Sequence, residues 1–302
     1  MKTKDIALLI TTAFFIFSFN TAKSQVETEG KTLFWEVSGN GLKKKSYLFG
    51  TYHLMNNSYL KEIPKAEKAF KKADGVVVET LIDSSQLMAL GMMAMMTETT
   101  FDKLVSAEDF DLVSAEVSER LGPQMGMALN MLKPNATMAA LIMAYNKEYN
   151  AELLGKYSGM PLDLFFAVDA QKRKKQVEGL EALEEQMNIL YNKEPLEKQA
   201  ETLVNLVKDK TDVMKMQVDL ATYYLAHDLE QLTVMYNEYN EKYGESDYLL
   251  KDRNLKWMDV FPAILARGNQ FIAVGALHLP GEFGMINLLR KAGYTVKPLS
   301  AK

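Results

Sequence analysis

Strand-forming sequence in this chain is confined almost entirely to its two ends, and that restricts what it can fold into. Thr32–Val37, Ser46–Tyr52 and Gly75–Glu79 are short apolar or β-branched runs near the start, and Gln270–Leu277 and Tyr294–Leu299 lie near the finish. Between them only Gln176–Glu181 reads as a strand, and weakly, while roughly 84–170 and 182–267 carry helical periodicity. A sheet made from these segments has to draw its strands from both termini. Ser38-Gly39-Asn40-Gly41 is a good turn between the first two strands. Pro64–Lys72 predicts a helix joining the second strand to Gly75–Glu79, and Phe283–Lys291, stopped by Ala292-Gly293, predicts one joining the last two. Such strand–helix–strand units imply parallel pairing with right-handed crossovers. No Gly-, Pro- or Ser-rich linker divides the helical middle. The expectation is one α/β domain over residues 25–302: a central mixed, partly parallel β-sheet flanked by helices, with a large helical insertion at about 84–267.

Residues 1–24 read as a secretory signal peptide. Lys2 and Lys4 precede an apolar run from Ile6 to Phe19, and Ala22-Lys23-Ser24 offers small residues at the two positions a signal peptidase reads. The run is short for a membrane span. The expected product is exported, periplasmic or secreted, with no membrane attachment after cleavage. The absence of cysteine excludes a disulfide framework, thiol catalysis and thiolate metal sites. A net charge of −4 with no basic face gives no reason to expect a nucleic-acid partner. Nothing in the sequence sets the oligomeric state.

The chain has three histidines, and two stand in matching settings at opposite ends. Ser-Tyr-Leu-Phe-Gly-Thr-Tyr-His ends at His53, and Phe-Ile-Ala-Val-Gly-Ala-Leu-His ends at His278; each is an apolar run followed by Gly-x-x-His. In open parallel sheets functional groups gather beyond the carboxyl ends of strands. His53, Glu79, Glu181 and His278 each end or follow a strand-like segment, so parallel strands would bring all four to one edge. Gly50 and Gly275 allow close approach of another chain or a ligand, and Thr51 adds a hydroxyl beside the first histidine. Two imidazoles and a carboxylate (His53, Glu79 and His278) form a common open metal set, which would acidify a bound water. A second carboxylate, Glu181 or Glu282, could then serve as base. Without a metal, one histidine could activate water itself, oriented by Glu79. The spacing does not choose between these chemistries.

Within a predicted helix Asp247–Ala266, Arg253 and Asn254 fall on the apolar face marked by Leu250, Trp257 and Phe261. A charge there needs a partner, so Arg253 is expected to reach a site carboxylate or a negative intermediate, or to form a structural ion pair. His227 precedes Asp228 at a break between helices, and a surface or capping role is expected. Ten of the nineteen methionines lie between Met88 and Met143, with Met88, Met92, Met95 and Met96 at helical spacing on one face. That face reads as an adaptable packing surface or a substrate groove.

These residues resemble the TraB/GumN family, which includes the Tiki metalloproteases. The resemblance covers nearly all of the chain after the signal peptide. It is carried by Leu33-Phe34-Trp35-Glu36-Val37, Tyr47 to His53, Val76-Val77-Val78-Glu79, Asp163-Leu164-Phe165-Phe166, Gly179-Leu180-Glu181 with Gln186 beyond, Arg253-Asn254, and most specifically Ala273 to Glu282. Pro161 and Ala182 depart from the usual glycine and threonine. The resemblance implies a fold related to erythromycin esterases and haem-binding ChaN-type proteins. It implies an active centre of His53, Glu79 and His278, and in Tiki-like members a divalent-metal protease, with manganese or cobalt as the cofactor; zinc also suits these residue types. The sequence expectation is therefore an exported, metal-dependent, peptidase-like hydrolase acting on a peptide or other carbonyl-containing substrate, with Glu181, Arg253, Asn254 and Glu282 in support. The alternative is a non-catalytic metal- or haem-binding protein of the cell envelope.

Overall fold

The computed structural model describes residues 31–81, 87–243 and 247–302, so the signal-peptide expectation lies outside the described residues. Six strands form one sheet: β1 (Phe34–Gly39), β2 (Ser46–Thr51), β3 (Gly75–Val78), β4 (Gln176–Gly179), β5 (Gln270–Gly275) and β6 (Tyr294–Leu299). Their order is β4-β3-β5-β2-β1-β6. β4, β3, β5 and β2 pair in parallel, while β1 is antiparallel to both β2 and β6. The α/β class and the mixed, partly parallel sheet are as expected. The crossovers differ. β2 and β3 are not neighbours, because β5 lies between them, and β2 and β1 separate β5 from β6. The slot between β2 and β3 is filled only by a strand from the far end of the chain.

Fourteen α-helices surround the sheet among the described residues. α1 (Pro64–Lys72) matches its predicted bounds, with Pro64 in the first turn, where a missing N–H is harmless. The middle of the chain supplies α2 (Leu87–Met93), α3 (Ala107–Leu121), α4 (Pro123–Ala128), α5 (Pro134–Tyr149), α6 (Ala151–Leu154), α7 (Leu162–Lys172), α8 (Leu183–Asn192), α9 (Leu196–Lys208), α10 (Lys210–Leu225) and α11 (Leu229–Tyr243). α12 (Lys251–Trp257), α13 (Phe261–Ala266) and α14 (Met285–Lys291) complete the set. The expected helix Asp247–Ala266 is thus broken into a 3-10 turn and two short helices, with Pro262 opening the second. The methionine face is not continuous either. α2 ends at Met93; Met88 and Met92 are exposed, while Met96 is buried beyond the helix, its N–H bonded to the carbonyl of Met131. No helix among the described residues is long and apolar enough to cross a membrane.

The main core lies between the sheet and its helices. Phe49 of β2, Phe271 of β5, Phe70 of α1 and Phe166 of α7 are fully buried. The Phe166 ring meets Phe70 edge-on at 4.9 Å and lies tilted against Phe271 at 5.0 Å, which fixes α7 against the sheet. A second cluster, including Val113, Leu141, Tyr145 and Leu203, joins α3, α5 and α9.

At Gly50 the loop after β5 packs closely on β2. A Cβ there would lie 3.0 Å from both Ala276 Cα and Leu279 Cδ1. Gly50→Ala is expected to lower unfolding free energy by about 1–3 kcal/mol, as overpacking does. Urea unfolding measures this, and an unchanged midpoint would show that the contact tolerates a methyl group.

Candidate active site

The parallel register brings the strand ends together. Thr51 is paired with Gly275 across β2 and β5, and Val78 with Ala273 and Gly179 across β3 and its neighbours. His53, Glu79, Glu181 and His278 leave this one edge. Glu79, Glu181 and His278 are buried, whereas the His53 side chain is 71% exposed and lines an open cavity of about 410 Å³ with Glu79, Arg253 and His278.

At the buried end, Arg253 is the hub. Its Nη2 donates to Glu79 Oε2 at 2.5 Å and to Glu181 Oε1 at 2.6 Å, and its Nε donates to both oxygens of Glu181 at 3.0 and 3.2 Å. Its Nη1 donates to the Leu249 carbonyl at 3.0 Å and to His278 Nε2 at 3.1 Å. All five guanidinium hydrogens have acceptors. Trp257 carries the guanidinium on its face at 4.9 Å, packs on the His278 ring at 4.5 Å, and donates Nε1–H to Glu181.

The tautomer of His278 follows from these contacts. A guanidinium can only donate, so Nε2 of His278 accepts and carries no proton. Asn254 Nδ2 donates to the carbonyls of His278 and Phe283, which leaves Asn254 Oδ1 to accept from His278 Nδ1–H at 2.7 Å. His278 is therefore neutral, protonated on Nδ1. Burial pushes its pKa down and the Arg253 charge reinforces that, against the pull of Glu79. Burial alone would raise Glu79, but the Arg253 and His53 charges and the Gly275 N–H outweigh it and hold the carboxyl below its ordinary range; neutral His278 adds no charge to this balance. The Gly275 N–H reaches Glu79 Oε1 at 2.6 Å, an approach the absent Cβ permits, since a Cβ would sit 3.2 Å from that oxygen. Gln186 Nε2 donates to Glu79 Oε2 at 3.3 Å.

At the open end, Asp163 holds His53. His53 Nδ1–H donates to Asp163 Oδ2 at 2.8 Å, and the Thr51 hydroxyl donates to Oδ1 of the same carboxylate. Asp163 lies in the first turn of α7, where the helix dipole favours a carboxylate, and three residues before buried Phe166 on the same helix face. Core packing thus places the carboxylate. The Asp163 charge and hydrogen bond, aided by Glu79, raise His53 to about 9 against the Arg253 charge and the partial loss of solvent inside the cavity. The helical middle also grips the first motif: Tyr224 of α10 donates to the Gly50 carbonyl at 3.0 Å, and the Tyr52 hydroxyl donates to Asn146 of α5 at 2.7 Å.

Two sequence expectations change. Glu282 stands away from this cluster, 70% exposed, with Lys291 at 3.8 Å as its ionic partner, so it belongs to the surface. His227 is buried rather than superficial, while the capping part of the expectation holds: it follows the α10 C-cap at φ 58, with its N–H on the Tyr224 carbonyl and the Asp228 N–H on the Tyr223 carbonyl. Its Nε2 meets the Tyr59 hydroxyl at 2.6 Å, and burial, foremost, lowers it to about 4. Asp163 and Gln186 had a sequence signal only through the family resemblance; nothing in the local pattern of α7 or α8 marks either as facing His53 or Glu79.

A family model described as the TraB/PrgY/gumN family matches residues 33–298. The chain belongs to that family. No curated protein and no solved structure gave a significant match. The TraB/PrgY/gumN match spans both Gly-x-x-His motifs and the whole helical middle between them.

The donor set does not fit a divalent cation as it is arranged. A permanent cation, the guanidinium, already sits among Glu79, Glu181 and His278 and takes the lone pairs a metal would need. Among the described residues no group of three or more His, Asp or Glu side chains is disposed to hold an ion. Two outcomes follow. Titration calorimetry with Mn²⁺, Co²⁺ or Zn²⁺ is expected to show no stoichiometric binding at this centre; one tight site lost in His278→Ala would contradict that. Arg253→Ala strands two buried carboxylates and is expected to cost about 3–5 kcal/mol of stability. Adding Glu79→Gln and Glu181→Gln should recover part of it. A loss under about 1 kcal/mol, within the range of exposed ion pairs, would show that water replaces the guanidinium.

Proposed function

We propose that the chain is a hydrolase of ester or amide carbonyls in which His53 moves the proton. The reading rests chiefly on one observation: an imidazole oriented by a carboxylate, His53 on Asp163, shares one ligand-sized cavity with Glu79, Arg253 and His278, with Glu181 behind them on the guanidinium. With Nδ1–H committed to Asp163, Nε2 of His53 is the atom left to act as base. It takes a proton from water as the water oxygen bonds to the carbonyl carbon. The imidazolium then returns that proton to the leaving oxygen or nitrogen as the carbonyl bond breaks. Asp163 and Glu79 stabilise the imidazolium, the role the orienting acid has in histidine-based triads. Arg253, Asn254 and His278 are positioning residues, keeping Glu79 ionised and aimed. Export and a peptide substrate remain compatible expectations from the sequence and the family.

The pH dependence has a definite sign. His53 works as a base only when neutral, so kcat/KM should rise with pH and level off above about 9. Asp163→Asn removes the main cause of the raised pKa. The inflection should move down towards the ordinary histidine value while the plateau falls by about 10²–10⁴-fold, the usual span of acid–base assistance. An ester panel assayed between mildly acidic and alkaline pH reads both effects. A profile unmoved by Asp163→Asn, or full activity in His53→Ala, would rule out this mechanism.

A further inference from the structure

A second cavity adjoins the first. It has a volume of about 400 Å³ and lies between α11, the start of α12 and the loop after His278. Leu250 and Leu277 line both cavities, so the two lie side by side against these leucines. Their chemistry differs. The His53 compartment is walled by aliphatic side chains, among them Ile189, Leu190, Leu220, Leu232 and Leu249. The second is lined by Thr233, Tyr236, Asn237 and Asn240 from one helix, where the Thr233 hydroxyl donates to the Leu229 carbonyl, and by Pro280 to Gly284 of the facing loop.

The charges at the second compartment are matched. Asp247 accepts from Lys251 at 2.6 Å, and Glu282 has Lys291 at 3.8 Å. No single sign of charge dominates, so the lining favours a neutral group rich in donors and acceptors over an ion. Asn254 belongs to both ends of the problem: it lines the second compartment and orients His278.

We propose that the substrate is a neutral amphiphile, an acyl ester or amide. Its aliphatic chain lies in the His53 compartment, and its hydroxyl- or amide-bearing head lies in the second, with the scissile carbonyl between them. This rests on the hydrolytic reading of His53. Water adds to the acyl carbon, and the products are the carboxylic acid and the free alcohol or amine of the head. Aliphatic walls reward each added methylene, while the Asn237 amide on the lining of the second compartment rewards a hydrogen-bonding head over a methyl group.

The test has a kinetic arm and a binding arm on the same chain. Methyl esters from acetyl to octanoyl are expected to show kcat/KM rising at least tenfold, and Leu220→Trp should move the optimum to shorter chains. 1-Octanoylglycerol and N-octanoylglycinamide ask which head is taken, and either preferred over the methyl ester supports the proposal. Asn237→Leu should reduce that preference at least threefold. Independently, 1-octylglycerol ether, which cannot be hydrolysed, should bind in calorimetry and bind more weakly to Leu220→Trp. Hydrolysis with equal rates for acetyl and octanoyl esters and no head preference would overturn the amphiphile while leaving His53 chemistry standing. Binding of the ether without turnover of any ester would keep the ligand class and overturn the hydrolytic reading. No ether binding would overturn the proposal.

Discussion

The buried guanidinium of Arg253 is the interaction on which the rest of the site depends. It joins β3, the segment after β4, α12 and the loop after β5 through contacts to Glu79, Glu181, Leu249 and His278. Removing two carboxylates from water is costly unless their charge is met at close range. Here one planar donor group meets both, and it leaves neither Glu79 nor His278 free to rotate. The same contact decides chemistry. Because the guanidinium donates to Nε2, His278 is a neutral acceptor, and the strongest base open to the cavity is His53. Two similar Gly-x-x-His motifs therefore end in opposite states, one buried and neutral, the other exposed and held towards imidazolium by Asp163.

The sheet explains why such a cluster can form at all. β5 enters between β2 and β3 and aligns Gly275 with Thr51, so the last third of the chain completes the site begun in the first. The helical middle is more than filler between these ends. α7 supplies Asp163, α10 holds the Gly50 carbonyl through Tyr224, and α5 holds Tyr52 through Asn146. A change that shifts α7 or α10 against the sheet would reach His53 directly through these hydrogen bonds.

Much of this was legible in the sequence, for definite physical reasons. Period-two and β-branched runs marked the strands within about two residues, and α1 had Pro64 to fix its start. Strand ends and parallel pairing were enough to bring His53, Glu79, Glu181 and His278 to one edge, and helical spacing put Arg253 on a buried face. Neighbour relations were not legible, because inserting β5 between β2 and β3 is a tertiary choice that leaves no local signal. Asp163 was hidden for the same reason: it reaches His53 only because Phe166 packs on Phe70 and Phe271. Glu282 followed the second motif closely enough to look like part of it, yet the turn at Pro280-Gly281 carries it to the surface. The divalent-metal expectation came from residue types and resemblance, neither of which shows that Arg253 already takes the central lone pairs.

The protonation state of the two motif histidines tests this account most directly. Nitrogen-15 NMR of the imidazoles at about pH 7 separates the tautomers of a ring that ordinarily titrates near there. The account predicts His278 neutral with its proton on Nδ1, unchanged through the mildly acidic range, and His53 as the imidazolium, losing its charge only at alkaline pH. A His278 proton on Nε2, or a His278 imidazolium beside a neutral His53, would contradict the arrangement of donors around Arg253.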